Sequence, residues 1–279
     1  MHKNKNKFII VSFILIAVFM LTGCKSFDSI KVKLGLKNND FEYIKQGRIK
    51  KIIIQSTRDK SFKFVVTDEI AIKDMYEILS SSKEVTEKST LESDYILEMY
   101  EGVDKIHKFN YIAGLDKKDG ANLYSEDKSY IVSKRIDNDI IQNFWNIRKP
   151  IDFKTVYYDS ILKVLNNYFK KDIKGEKILL DISEDVESSK FILSTDLEIF
   201  KSKLLSDFNT QLAKDNNAGV DADVLIKVKT EGYKSTIYKS TLTITSSSDE
   251  KEKLYYIVAN YDSGLWNIEI FEDKKPEKF

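Results

Sequence analysis

Ile49-Lys50-Lys51-Ile52-Ile53-Ile54-Gln55, answered by Ser61-Phe62-Lys63-Phe64-Val65-Val66 and then by Thr67-Asp68-Glu69-Ile70-Ala71-Ile72-Lys73-Asp74-Met75-Tyr76-Glu77-Ile78-Leu79, decides the fold of this 279-residue chain. The isoleucine run reads as a strand. The second run alternates Phe62, Phe64 and Val66, the period of a half-buried strand. The period then changes. Thr67 or Asp68 caps a helix, Glu69 sits in its first turn, and Ile72, Met75, Tyr76 and Leu79 share one face at i, i+3, i+4 and i+7. Ser80-Ser81-Ser82 ends it. Two strands folded onto a helix by their apolar faces place the chain in the α+β class.

Outward from this unit the pattern continues as mainly antiparallel sheet. Strands are expected at 95–100 and 105–112, joined by a tight turn at Glu101-Gly102-Val103-Asp104. A polar loop at 114–120, short strands near 121–125 and 129–133, and a helix over about 135–147 follow, giving the order ββαβββ(β)α. The break falls at Arg148-Lys149-Pro150, since Pro150, one of two prolines, disfavours helix in the residue before it. A second α+β segment opens with a helix over 153–170, striped by Val156, Ile161, Leu162, Leu165 and Phe169. A strand at 177–182 follows. A helix then runs from a cap at Thr195-Asp196 to about Leu212, with Phe200, Leu204, Leu205 and Phe208 on one side. Strands at 222–230, 235–246, 253–261 and 265–271 complete it, with turns at Glu231-Gly232, Ser246 to Glu250 and Asp262-Ser263-Gly264. An antiparallel sheet wrapped on helices fits, in the manner of cystatin-like or nuclear-transport-factor-like folds. Two small domains are therefore expected, over 47–149 and 151–279.

Three features of the first segment carry a family resemblance: the paired strands followed by a helix, then Asp94-Tyr95-Ile96-Leu97, then Tyr130-Ile131-Val132-Ser133 before the closing helix. With these it resembles the small domain of YhfM-like lipoproteins of firmicutes. It departs from that pattern at Ser93, where proline is common. The resemblance implies the fold and brings no catalytic motif.

The N-terminus has a basic tip (Lys3, Lys5, Lys7), an apolar run from Phe8 to Leu21 and small residues before the sole cysteine, the layout of a signal peptide. Leu21-Thr22-Gly23-Cys24 resembles the lipobox of bacterial lipoprotein precursors. The resemblance implies cleavage after Gly23, with Leu21, Thr22 and Gly23 as the recognition residues, and a diacylglyceryl group on the Cys24 thiol. A transmembrane anchor is the competing reading. Fourteen residues at ~1.5 Å each reach about 21 Å, short of a hydrocarbon core of roughly 30 Å. Residues 1–23 are thus expected to leave as signal peptide. Residues 24–46, polar and without period, are expected to serve as a lipidated tether.

Loss of three lysines with the leader takes the formal charge from +1 to −2. A near-neutral body offers no electrostatic case for nucleic acid. Of 45 basic residues only Arg48, Arg58, Arg135 and Arg148 are arginine, so the fork suited to phosphate and carboxylate is scarce. Abundant lysine, asparagine and isoleucine suggest an AT-rich, low-GC Gram-positive source. With Cys24 lipidated there is no free thiol and no disulfide.

His107 is the one histidine after the leader. It falls mid-strand with Phe109 and Tyr111, without a G-x-S-x-G or S-x-x-K string, and reads as structural. One histidine and no thiol argue against a zinc site. Asp215, Asn217, Asp221 and Asp223 are dense in hard oxygens, but an EF-hand frame from Asp215 puts Val220 at position six and Ile226 at position twelve. That stretch, like Asp116-Lys117-Lys118-Asp119-Gly120, reads as a turn. No phosphate-binding glycine loop, metal site or cofactor motif is present, and the tyrosines and phenylalanines fall at core spacing.

The expectation is a non-catalytic binding or adaptor protein, held to the membrane through the diacylglyceryl anchor at Cys24 on the outer face of the cytoplasmic membrane. Its partner would be an envelope protein or polymer. Alternatives are a solute-binding transporter component, or an envelope hydrolase using paired carboxylates.

Overall fold

The computed structural model describes residues 34–141, 149–169, 176–213, 222–248, 252–277 and 279. The first sheet begins with β1 (Ile49–Ser56) and β2 (Lys63–Val66), paired antiparallel. In β1, Ile49 faces the core, and so do Ile52, Ile54 and Ser56. A register shift between Ile49 and Lys51 resets the alternation there, as a bulge does. Then comes α2 (Glu69–Ser80), preceded in the chain by a single turn, α1 (Glu42–Lys45). Asp68 is the cap of α2: its carboxylate accepts the Ala71 N–H at 2.9 Å. The expected stripe Ile72, Met75, Tyr76 and Leu79 is buried.

β4 (Tyr95–Glu101) and β5 (Lys105–Tyr111) form the expected hairpin, and β6 (Leu123–Tyr124) and β7 (Ser129–Ile131) follow. A short β3 (Lys83–Val85), not read from the sequence, pairs with β7. The sheet order is β2-β1-β4-β5-β6-β7-β3. Where a helix over 135–147 is expected, a π-helical turn spans Ile136–Ile141; residues 142–148 lie outside the described residues.

The expected tether requires correction over residues 38–46. Phe41 is fully buried and its ring packs against Phe109 and Tyr130, with centroids 5.7 and 5.2 Å apart. Ile44 of α1 is buried beside it. Asn38 Nδ2 donates to the Leu79 and Ser82 carbonyls at 3.1 and 3.0 Å, closing the C-terminal turn of α2. Two apolar residues in a polar stretch carry no period, so local sequence did not expose them.

The second domain opens with α3 (Phe153–Tyr168), followed by β8 (Ile178–Asp181), α4 (Val186–Ser189), α5 (Ser194–Phe208), β9 (Thr210–Leu212), β10 (Val224–Lys234), β11 (Ile237–Ser246), β12 (Glu252–Asp262) and β13 (Leu265–Glu272). Its order is β13-β12-β11-β10-β8-β9. β8 lies parallel to β10 and β9, and the other pairs are antiparallel. Three local readings differ. First, α5 starts at Ser194 and stops at Phe208, because Asn209 turns left-handed at φ 50° and 210–212 become β9. Second, Leu205 is half-exposed; the inward row is Leu197, Phe200, Leu204 and Phe208, and Leu205 lies one residue, ~100°, off it. Third, Gly232 is a bulge within β10 rather than the turn, and the reversal falls at Ser235-Thr236. The Ser263-Gly264 loop is as expected. Both residues have positive φ (51° and 86°), the I′ geometry that matches strand twist.

Among the described residues no strand of one sheet pairs with the other, and each sheet covers its own apolar core. Phe41→Ala is expected to destabilise the first domain by about 3–5 kcal/mol. Leu36→Ala, at an exposed site, is expected to change stability by less than about 0.5 kcal/mol. Urea unfolding of the two variants measures both; equal, negligible effects would return residues 38–46 to the tether.

Candidate binding site at the domain junction

The β1–β2 loop carries Arg58, and the residue before β4 is Asp94, buried with 2% exposure. The backbone places Asp94 firmly: its N–H donates to Tyr111 O at 2.8 Å and its carbonyl accepts from Thr57 N at 3.0 Å. Asp94 Oδ1 accepts Arg58 Nη1 at 2.7 Å and the Ser194 backbone N–H at 2.8 Å, while Oδ2 accepts the Ala113 N–H at 2.9 Å. Arg58 Nη2 donates to Ser194 Oγ at 2.6 Å. Ser194 is the first residue of α5, whose own N-cap, Leu193, has no side chain able to accept. A carboxylate from the first domain therefore caps a helix of the second, at the positive end of its dipole. Thr195 Oγ1 donates to Ala113 O at 3.3 Å, and Phe62 meets Phe191 edge-on at 6.4 Å.

Two hollows adjoin this junction, of about 450 and 490 Å³, and both are lined by Lys149 and Leu193. In the first, the Lys149 ammonium lies 5.5 and 6.0 Å from the Phe191 and Phe153 ring centroids. Burial lowers its pKa to about 8, against the opposing pull of Asp196 and Asp152. Burial raises the carboxyl of Asp196, which Lys154 approaches at 3.8 Å. The second hollow holds Tyr95 and Asp137. Asp137 accepts the Tyr111 hydroxyl at 3.0 Å and the Gly114 N–H at 2.9 Å, yet burial still pushes its pKa up. The Tyr95 hydroxyl is buried and finds no hydrogen-bond partner among the described residues. The arrangement offers a partly desolvated ammonium, aromatic walls and a hydroxyl without a partner among the described residues, a set suited to gripping a polar group.

The sequence-predicted residues stand apart from this site. Leu21, Thr22, Gly23 and Cys24 lie outside the described residues, as do Asp215, Asn217 and Asp221. Asp223 Oδ2 accepts Lys177 N at 2.7 Å and pins the entry of β8. Asp116 closes its turn by accepting Lys118 N at 3.1 Å on Oδ1 and Asp119 N at 3.0 Å on the carbonyl. His107, read from the sequence as structural, has a carboxylate partner. Its Nε2 meets Glu101 Oε2 at 2.7 Å while its ring stacks on Tyr43 at 3.8 Å. The His107 hydrogen bond, helped by Lys105 and Arg48, holds the Glu101 carboxyl below its ordinary value. Glu101 pairs with Lys105, so His107 is its diagonal cross-strand neighbour, a relation the expected turn at 101–104 already implied. Among the described residues no group of three or more His, Cys, Asp or Glu side chains is placed to hold a metal ion, and no helix is long and apolar enough to cross a membrane.

Residues 45–150 match the family model described as YhfM protein. The first domain is thus YhfM-like, and the match ends before α3. No curated protein and no solved structure matches the chain.

Arg58→Met leaves Asp94 as an uncompensated buried charge and is expected to cost about 3–5 kcal/mol. Calorimetry should then resolve two unfolding transitions; one undisturbed transition would refute the coupling. Lys149 gives a second test. Its folded-state pKa lies below that of the unfolded chain, so between pH ~8 and ~10.5 the unfolded state binds more protons and stability rises with pH. Lys149→Met should remove that rise, at most about 3 kcal/mol, in urea titrations across the window.

Proposed function

We propose that the chain is a lipid-anchored, non-catalytic binding or adaptor protein of a Gram-positive cell envelope, tethered to the outer face of the cytoplasmic membrane through Cys24. The anchor is supported by the basic tip, short apolar run and Leu21-Thr22-Gly23-Cys24, the same features that carry the resemblance to bacterial lipoprotein precursors. The observation that carries the adaptor reading is the Arg58–Asp94–Ser194 junction. Intrachain domains joined by a polar contact usually move relative to one another. Here a helix cap in trans, from Ser194 N–H to Asp94, and a bond from Arg58 to Ser194 Oγ link two unlike sheets in one orientation, which suits a fixed platform. A solute-capturing component closes by a hinge between lobes, and breaking this junction for each closure would expose a buried charge. A carboxylate hydrolase works with a facing pair of carboxyl groups, and among the described residues Asp137 is the one acidic side chain lining the second hollow.

Cys24→Ala is expected to abolish incorporation of labelled fatty acid and to release the protein from membranes in high salt. Retained label and retained membrane binding would refute the anchor. For the adaptor role, chemical cross-linking of the full chain in intact envelopes should capture one recurring envelope partner. Release of soluble fragments from purified peptidoglycan by the isolated protein would replace this reading with the hydrolase.

A further inference from the structure

β2 is an edge strand: among the described residues it pairs with β1 and with no other strand. Ser56 N–H donates to Phe62 O at 2.9 Å. Antiparallel alternation by two then puts Phe64 and Val66 in hydrogen-bonded pairs with Ile54 and Ile52. The backbone N–H and C=O groups of Lys63 and Val65 therefore point away from the sheet. The long edge strand of the second sheet is guarded differently, since Lys163 Nζ donates to the Ile268 carbonyl of β13 at 2.5 Å. No such side chain covers Lys63 or Val65 among the described residues.

Beside this edge lies a groove of about 380 Å³ between β2, the first turns of α2 and the end of the π-helical turn. Val65 and Ile70 leave 52% and 71% of their surface in solvent there, and Val66, Ala71 and Ile140 complete the apolar lining. The charged residues that line it are Asp68, Asp74 and Asp139, all acidic. Asp68 is engaged in capping α2, and Asp139 faces Arg135 at 2.7 Å. Asp74, exposed one turn on from Ile70, makes no ion pair among the described residues.

We propose that the β2 edge and this groove form a docking site for an extended segment of a partner protein carrying lysine or arginine at alternate positions, which adds to the first sheet as an eighth strand. Main-chain bonds to Lys63 and Val65 supply the pairing, and the two faces of the added strand meet different surfaces. One set of side chains covers Val65; the alternate set reaches toward Ile70 and Asp74, where a cation finds its counter-charge. The proposal rests on the adaptor reading and names the chemistry of its partner.

The test uses a fluorescein-labelled peptide of alternating valine and lysine, with a valine–glutamate peptide as control, titrated with the full chain in fluorescence anisotropy. The lysine peptide should bind at least tenfold more tightly than the control, and more weakly as salt rises. Val65→Pro removes an N–H that β1 does not use, and should weaken binding at least tenfold with little change in melting temperature. Asp74→Lys should weaken it at least fivefold. If Val65→Pro does not fold, hydrogen exchange decides: the Lys63 and Val65 amides should slow when peptide is added to the unmodified chain. Equal affinity for both peptides, binding indifferent to Val65→Pro and Asp74→Lys, or unchanged exchange would overturn the proposal. A concentration-dependent dimer abolished by Val65→Pro would overturn it in favour of pairing between two copies. Failure of the adaptor reading is separate: envelopes would yield no cross-linked partner while the peptide still bound.

Discussion

Two positive ends meet at one buried carboxylate oxygen, where the Arg58 guanidinium and the first N–H of α5 both point at Asp94 Oδ1. A charge with 2% exposure is tolerable only when its oxygens are satisfied, and here the donors come from both domains. The pair does not need to add net stability to matter. Replacing a buried ion pair by apolar groups is often neutral, whereas removing one partner leaves the other charge stranded. The coupling between domains runs through Ser194: separation leaves Asp94 with Arg58 and Ala113 but removes the Ser194 N–H from Oδ1, takes Ser194 Oγ from Arg58 and uncaps α5 in one event. The surrounding contacts, Thr195 on Ala113 and Phe62 on Phe191, then fix the orientation that the charge makes costly to leave.

The same device recurs inside each domain. Asp137 ties the π-helical turn to Tyr111 and Gly114, and Asp185 ties α4 to β10 by accepting Thr230 N and Oγ1, both at 2.9 Å. The Thr230 hydroxyl also meets Tyr238 Oη at 3.0 Å and Ser188 Oγ at 2.6 Å. Burial raises the pKa of both aspartates. A raised folded-state value means that their stabilising contribution is present below the ordinary carboxylate range and is lost as pH rises through the shifted value. Both carboxyl groups are held against a desolvation cost, and what they contribute is position: Asp137 fixes the π-helical turn and Asp185 the four-residue α4.

The parts legible in the sequence are those where one residue's neighbours along the chain are also its neighbours in space. The stripe on α2, the Asp68 cap, the β4–β5 hairpin and the Ser263-Gly264 turn follow from spacing alone. Phe41 was hidden because its contacts, Phe109 and Tyr130, lie some seventy and ninety residues away. The parallel placement of β8 was hidden for the same reason, since a four-residue apolar strand carries no mark of the direction of its partner. The candidate site was the least legible part. Asp94 entered the reading only inside a family pattern and Lys149 only beside a proline, and neither has a local motif. The junction is made by residues about 36, 100 and 136 positions apart.

One compositional signal did point at it. Arginine is rare in this chain, four residues against forty-one lysines. Each of the three described arginines faces a carboxylate: Arg48 on Glu101, Arg58 on Asp94 and Arg135 on Asp139. Lysine is a strongly hydrated point charge and serves well on a solvated surface; arginine offers several donors in a fixed plane and is less costly to bury. Arg58 uses both terminal nitrogens on different acceptors, Asp94 Oδ1 and Ser194 Oγ, which one ammonium could not reach with the same geometry. In a lysine-dominated composition the exceptional arginine marks where direction, and not merely charge, is required.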